Sequence, residues 1–267
     1  MVLQTATTAS VIVICLLVAC LCGSSVNARE GAYPSDQQIQ AWKDQISEEN
    51  ISVIYSVADK LYGLPREPWS EPLRVILLNL IERHTAIREA LQRGQELNWG
   101  DPKFKKVWLG EYAGNLVEMA TWQADRRFIL FLGEHIGGGM LAARGLAAIG
   151  EPAFDMVIQK LRRDGWSSQQ GAAKALELML KADLPFLRAG GKRDHARESL
   201  LRVARSKYDF SRMSSIDALR YFNDKAVFAL LDSLSQHDMY TIDGRYPVRK
   251  RAQEAMQFIR SQGDDRQ

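Results

Sequence analysis

Apolar residues recur along this chain with the spacing of helix faces, and one short pattern returns several times. Ala142, Leu146 and Ile149 stand at i, i+4 and i+7, which places them on one face of a helix. Gly150 follows as a C-terminal stop, because glycine takes positive φ without steric cost. Pro152 suits the start of the next helix, where a missing N–H leaves nothing unsatisfied. Phe154, Val157, Ile158 and Leu161 then stand at i, i+3, i+4 and i+7. The segment 141–161 thus predicts two short antiparallel amphipathic helices joined by a tight turn.

The first-helix spacing repeats at Tyr112, Leu116 and Met119, thirty residues upstream, and at Ala172, Leu176 and Met179, thirty downstream. It returns at Ser215, Leu219 and Phe222 and at Ala252, Met256 and Ile259. The second-helix pattern recurs at Phe128, Phe131 and Leu132 and at Val227, Leu230, Leu231 and Leu234. The later, longer steps imply insertions: "PFLRAGGKRDHARE", with Gly190 and Gly191 as a loop, and "HDMYTIDGRYP". A fixed period of this length is the mark of a repeat array.

The stretch "LAARGLAAIGEPAFDMVIQKLRRDGWSSQQGAAKALELM" resembles HEAT or HEAT-like repeats, which pair an Ala/Leu-rich first helix ending near "IG" with a second helix. The resemblance is strongest over residues 104–180 and weakens towards Arg260; the second unit has Met179-Leu180 in place of the "IG" ending. It implies an all-α fold: an α-α superhelix, a HEAT-like solenoid of antiparallel helix pairs. It also implies that second helices line the concave side, where Gln159, Arg162 and Arg163 become candidate partner-binding residues.

The expected organisation is a signal peptide at 1–28, a divergent N-terminal helical cap at 29–100, HEAT-like repeats at 101–262 and a disordered tail at 263–267. Within the cap, Ser35 is placed to cap the helix of "SDQQIQAWKDQI". "ISVIYSVADKLYG" continues the helical pattern, and "LPREPWSEP" is a turn. "LRVILLNLIERHTAIREALQRG" forms one long helix or two broken near His84. No strand pattern stands out.

The first 28 residues contain no charged side chain, and the apolar run Val11–Cys22 is too short for a spanning helix. They fit a secretory signal peptide cleaved after Ala28. Leu17-Val18-Ala19-Cys20 resembles a lipoprotein lipobox and offers an alternative, lipidation of Cys20. Export to the periplasm or outside the cell is therefore expected, with a lipid anchor as the variant and no transmembrane span. The three cysteines, 15, 20 and 22, all lie here, so the remainder has no thiol nucleophile and no cysteine metal site.

The net charge of +3 gives no strong bias towards nucleic acid. Residues 186–267 carry 16 Lys/Arg against 11 Asp/Glu, and Arg193 and Arg197 lie in their first basic stretch. These two are candidates for contact with an acidic partner; a nucleic-acid role would require the basic residues from Lys192 to Lys207 to share one face with Arg249–Arg251. Trp166 follows "RRDG" in an inter-repeat segment and is a candidate interface anchor.

Catalytic motifs are missing. No two of His84, His135, His195 and His237 are three or four residues apart, and there is no G-x-S-x-G elbow. Glu134-His135 beside Gly137–Gly139 is the one pair that suggests a site, but His135 falls a turn after Phe131 on the apolar side. Ser167-Ser168 and Ser214-Ser215 read as helix N-caps. The expectation is a non-catalytic module for a protein or peptide, without cofactor or metal, with an unrecognised enzyme as the alternative.

Overall fold

The computed structural model describes residues 33–100, 104–163 and 165–264, with side chains from 110 to 262 in the later part. Cys20 and Ala28 lie outside the described residues, so both processing expectations do too. The fold is all-α. Among the described residues are twelve helices, and the only strand-like pairing is an isolated bridge between Ile242 and Arg245.

Three helices precede the array: α1 (Asp36–Ile46), α2 (Ile51–Tyr62) and α3 (Glu71–Gln92). Ser35 closes a full capping box with Gln38 at the start of α1. Asn50 caps α2 and ends the continuity with α1. The long apolar pattern around His84 is a single helix, α3, in which His84 is buried. The proline-rich turn before it is anchored by Trp69, whose indole N–H donates to Pro65 O (2.8 Å) and whose backbone N–H donates to Gln123 Oε1 (2.8 Å).

The rest is α4 (Phe104–Gln123), α5 (Ile129–Glu134), α6 (Met140–Ile149), α7 (Phe154–Arg162), α8 (Trp166–Lys181), α9 (Gly191–Val203), α10 (Asp209–Leu219), α11 (Lys225–His237) and α12 (Pro247–Asp264). They pack in two layers. Each of α4, α6, α8, α10 and α12 packs on the next in that series, and α5, α7 and α9 form a second series. The predicted face residues Tyr112, Leu116, Met119, Ala142, Leu146, Ala172, Leu176 and Met179 are all buried between the layers, as are Ser215, Leu219, Ala252 and Ile259. Removing this apolar surface from water is the main favourable contribution to the fold.

The joints repeat as well. After α4, α6 and α8 one residue takes positive φ (Ala124 at 46°, Gly150 at 78°, Asp183 at 48°), and a short 3-10 turn then leads into the second helix. Asp183 therefore does in the second unit what Gly150 does in the first, although the unit lacks "IG". A left-handed alanine is strained, because its Cβ crowds the following carbonyl. Ala124→Gly should raise the unfolding free energy by about 1 kcal/mol, read from the urea midpoint. No gain would show that the site is not strained.

Two sequence expectations need correction. The predicted loop ends at Gly190 (φ 84°), and "KRDHARE" is the start of α9, with its polar residues outward and Ala196 buried. Ser167, Ser168, Ser214 and Ser215 are not N-caps: they lie inside α8 and α10, whose cap positions are Gly165 and Tyr208. "HDMYTIDGRYP" is a loop, turned by Asp243 and Gly244, both at positive φ.

Candidate interaction edge

The helices of the first layer run in the same direction, so their N-terminal ends share one edge of the molecule. The observations are local. Gly137, just before α6, lies against Ser167 in the first turn of α8. Ser211 Oγ in α10 donates to Trp166 O at the start of α8 (3.0 Å). Arg212 in α10 pairs with Asp238, in the loop before α12 (2.9 Å). Helix α4 is longer and overhangs α6, so that Gly110, Gly114 and Val117 face Met140 and Leu141 across a groove of about 300 Å³.

Most of the large apolar side chains left exposed lie along this edge. Met140 (45%) and Leu141 (38%) open α6, Trp166 (51%) opens α8, and Phe210 (46%) is the second residue of α10. Trp166 and Phe210 face each other at 6.0 Å between ring centroids. Met239, Ile242 and Tyr246 continue the line in the loop before α12. Only Tyr33 and Leu130 are exposed elsewhere among the described residues. A contiguous apolar strip costs solubility and finds no explanation in the packing of the chain itself.

The helix starts along the edge are bare. Gly139, Gly165 and Tyr208 are the cap positions of α6, α8 and α10, and none provides a side-chain cap. Their first-turn N–H groups therefore lack the acceptor that Asp224 supplies to α11. Cations outnumber free acids. Arg144 and Arg163 are exposed with no side-chain partner among the described residues, and Arg249 stacks on Tyr246 (4.0 Å) while bonding only Asp238 O and Met239 Sδ. The carboxylates of Asp209 and Asp238 are both taken by Arg212, and Glu134 is taken by Arg88 (2.8 Å). Lys160, 6% exposed, has its ammonium pushed below the usual lysine range by burial and by nearby Arg163, with Glu134 acting in the opposite direction.

The candidate residues read from the sequence divide into two groups. Gln159, Arg163 and Trp166 are exposed, and Trp166 belongs to the edge. Arg162 bonds His195 across the second layer. Arg193 is committed internally: it donates to Leu187 O and Tyr221 O (2.7 Å each) and lies over the Phe222 ring. Arg197 sits between Asp194 (3.4 Å) and Asp224 (3.7 Å). Of the other basic stretch, Arg251 pairs with Asp217 and Lys250 with Glu254.

Met140, Leu141, Phe210, Met239 and Tyr246 were not singled out by sequence reasoning. The available signal was their register: apolar residues at helix starts that fall outside the i, i+4, i+7 core face. Trp166→Ser with Phe210→Ser should change the unfolding free energy by about 1 kcal/mol or less in urea titration, since both rings are half exposed. A larger loss would mark them as core.

His135 lines the α4–α6 groove, but its Nδ1–H donates to Phe131 O (2.9 Å) and its ring packs on Phe131 (4.4 Å). A second polar group is buried between α2, α3 and α4. Tyr55 Oη and His84 Nδ1 share a hydrogen bond (3.2 Å), Tyr55 stacks on Tyr112 (4.0 Å), and Tyr112 O–H donates to Asp59 (3.0 Å). Burial holds both tyrosines protonated, with Asp59 adding to the effect at Tyr112, and pushes His84 down to about 4, with His135 and Arg88 adding to that effect. Among the described residues no cluster of acidic, histidine and cysteine side chains is arranged to hold a metal ion, and no helix is long and apolar enough to cross a membrane. Neither a family model nor a curated protein matches the chain.

Proposed function

We propose that this is an exported HEAT-like repeat protein that acts without catalysis, as a binding scaffold for a protein or peptide partner. The observation that carries the reading is the apolar strip along one edge, from Met140 to Tyr246, among described residues whose other large apolar side chains, Tyr33 and Leu130 apart, are not exposed. Half-exposed aromatics beside arginines are the residues that dominate protein interfaces once desolvated. The repeat resemblance supports it, because stacked helix pairs offer long binding surfaces rather than enclosed pockets. Export rests on residues 1–28. A mature N-terminus at Arg29, or a lipidated Cys20, is the expected mass-spectrometric result, and an intact Met1 would reject export.

Partner binding is tested by a photo-crosslinking residue placed at Trp166 in native cells, with the exposed Leu130, which lies away from the edge, as control. A discrete protein adduct at 166 and none at 130 is expected. No adduct at 166, or equal labelling at both positions, would refute the reading.

A further inference from the structure

We propose that the occupant of this edge is an extended, acidic segment of a partner protein, whose apolar side chains seat in the groove between α4 and α6 and along the Trp166–Phe210 pair. The inference rests on the protein-binding reading above and names the chemistry of its partner.

Length comes first. Helices stack about 8–10 Å apart, so three steps from α6 to α12 make a strip about 30 Å long. An extended chain rises about 3.3 Å per residue, so about nine residues cover it. The apolar positions recur at successive steps along this line, at the starts of α6, α8 and α10 and in the loop before α12, which suits an extended segment presenting anchors at intervals.

Charge then sets the sign. Along the strip, Arg144, Arg163, Arg245 and Arg249 have no carboxylate partner among the described residues, against two unpaired described acids, Glu111 and Asp243. The uncapped starts of α6, α8 and α10 present amide donors and the positive ends of three helix dipoles. Carboxylates complement each of these features, and a basic segment would oppose all of them.

The groove decides between a peptide and an anionic bilayer, which would share that charge preference. It is concave and lined mainly by apolar atoms. A lipid surface cannot follow a concavity of this size, whereas large apolar side chains of a peptide can seat in it. Gly110 and Gly114 sharpen the point. Both stand inside α4, where glycine weakens a helix relative to alanine. A Cβ at either would meet nothing within 4 Å, so internal packing does not require them. Their effect is to keep the groove open.

Gly114→Leu is therefore the diagnostic change. It adds a good helix former in open space and fills the groove, so it should fold with an unchanged or raised unfolding midpoint while losing the partner. Trp166→Ser with Phe210→Ser is the second, independent variant. The full chain is used to select from a random dodecapeptide library displayed on phage, and in parallel is sedimented with vesicles containing phosphatidylglycerol. Enriched peptides are expected to carry net negative charge and at least two large apolar residues. A synthetic copy should bind at least tenfold more weakly to each variant, and more weakly as salt rises. Enrichment of basic or uncharged peptides would overturn the proposal. So would acidic peptides that bind both variants undiminished, which would place recognition on another face and leave the broader protein-binding reading standing. Failure of any peptide to enrich also overturns it, and vesicle binding lost in the double variant would then assign the edge to lipid. The crosslink at position 166 reports on the broader reading independently of all these outcomes.

Discussion

Lowering the pH from 7 to 4 should cost this fold on the order of 3 kcal/mol through one residue, His84. His84 is 2% exposed, and its pKa is lowered from 6.5 to about 4, chiefly by burial. In the unfolded chain it takes up a proton as the pH falls through 6.5, whereas the folded chain resists until about 4. Between these values the unfolded state binds more protons, so stability is fully present above 6.5 and falls as the pH drops towards 4. By pH 5 the loss from this residue should reach about 2 kcal/mol. Protonation would also place a charge at the nitrogen hydrogen-bonded to Tyr55, beside the stacked Tyr55–Tyr112 pair that joins α2 to α4. His84→Gln keeps an acceptor but does not titrate. It should be weaker than the parent at pH 7 by about 1 kcal/mol, yet lose much less between pH 7 and 5. Urea unfolding at both pH values measures the difference; parallel losses in the two chains would show that His84 is not the acid-sensitive group.

That cluster also shows the limit of what the sequence carried. Ile76, Leu77, Leu80 and Ile81 are buried on the inner side of α3 and His84 follows at the same register, so its burial is consistent with periodicity alone. The partner across the core was not legible: Tyr55 is 29 positions away, and only the packing of α2 on α3 brings the two together. The layered helices were more visible, because helices that bury one face against their neighbours show the same i, i+4, i+7 spacing. Their joints were half visible. Gly150 announced a left-handed turn, but Ala124 and Asp183 adopt the same conformation without the residue that would advertise it.

The interaction edge was the least legible feature. It is built from residues at helix starts outside the core register and from the loop before α12, and its continuity depends on the first-layer helices running in one direction. Sequence reasoning found Trp166 because tryptophan is conspicuous, and grouped it with basic residues that the structure divides. Arg163 has no side-chain partner among the described residues, while Arg193 and Arg197 hold α9 to the neighbouring turns. Linear proximity of like charges thus misled where helix direction would have sorted them.

The glycines provide the sharpest mechanical test of the stack. Replacing a helical glycine by alanine ordinarily stabilises by about 0.5–1 kcal/mol. Gly171 should reverse that sign. It lies inside α8 where the helix crosses the Ile136–Gly138 turn, and a Cβ there would penetrate the Ile136 carbonyl oxygen and crowd its carbonyl carbon at 2.9 Å. Both neighbours are backbone, so no side chain can rotate away, and the two units must separate to admit the methyl group. Gly171→Ala is therefore expected to destabilise by about 3 kcal/mol, the upper part of the usual overpacking range. Gly114→Ala, in open space on α4, should instead gain up to about 1 kcal/mol. Urea titration of the two single variants compares them directly. If both alanines stabilise, α6 and α8 are not in the close register from which the whole edge derives its continuity, and Met140 and Trp166 would no longer belong to one surface. If Gly171→Ala weakens the fold while Gly114→Ala strengthens it, the close joint and the open groove are both established, because no general effect of alanine on helices produces opposite signs at two interior positions.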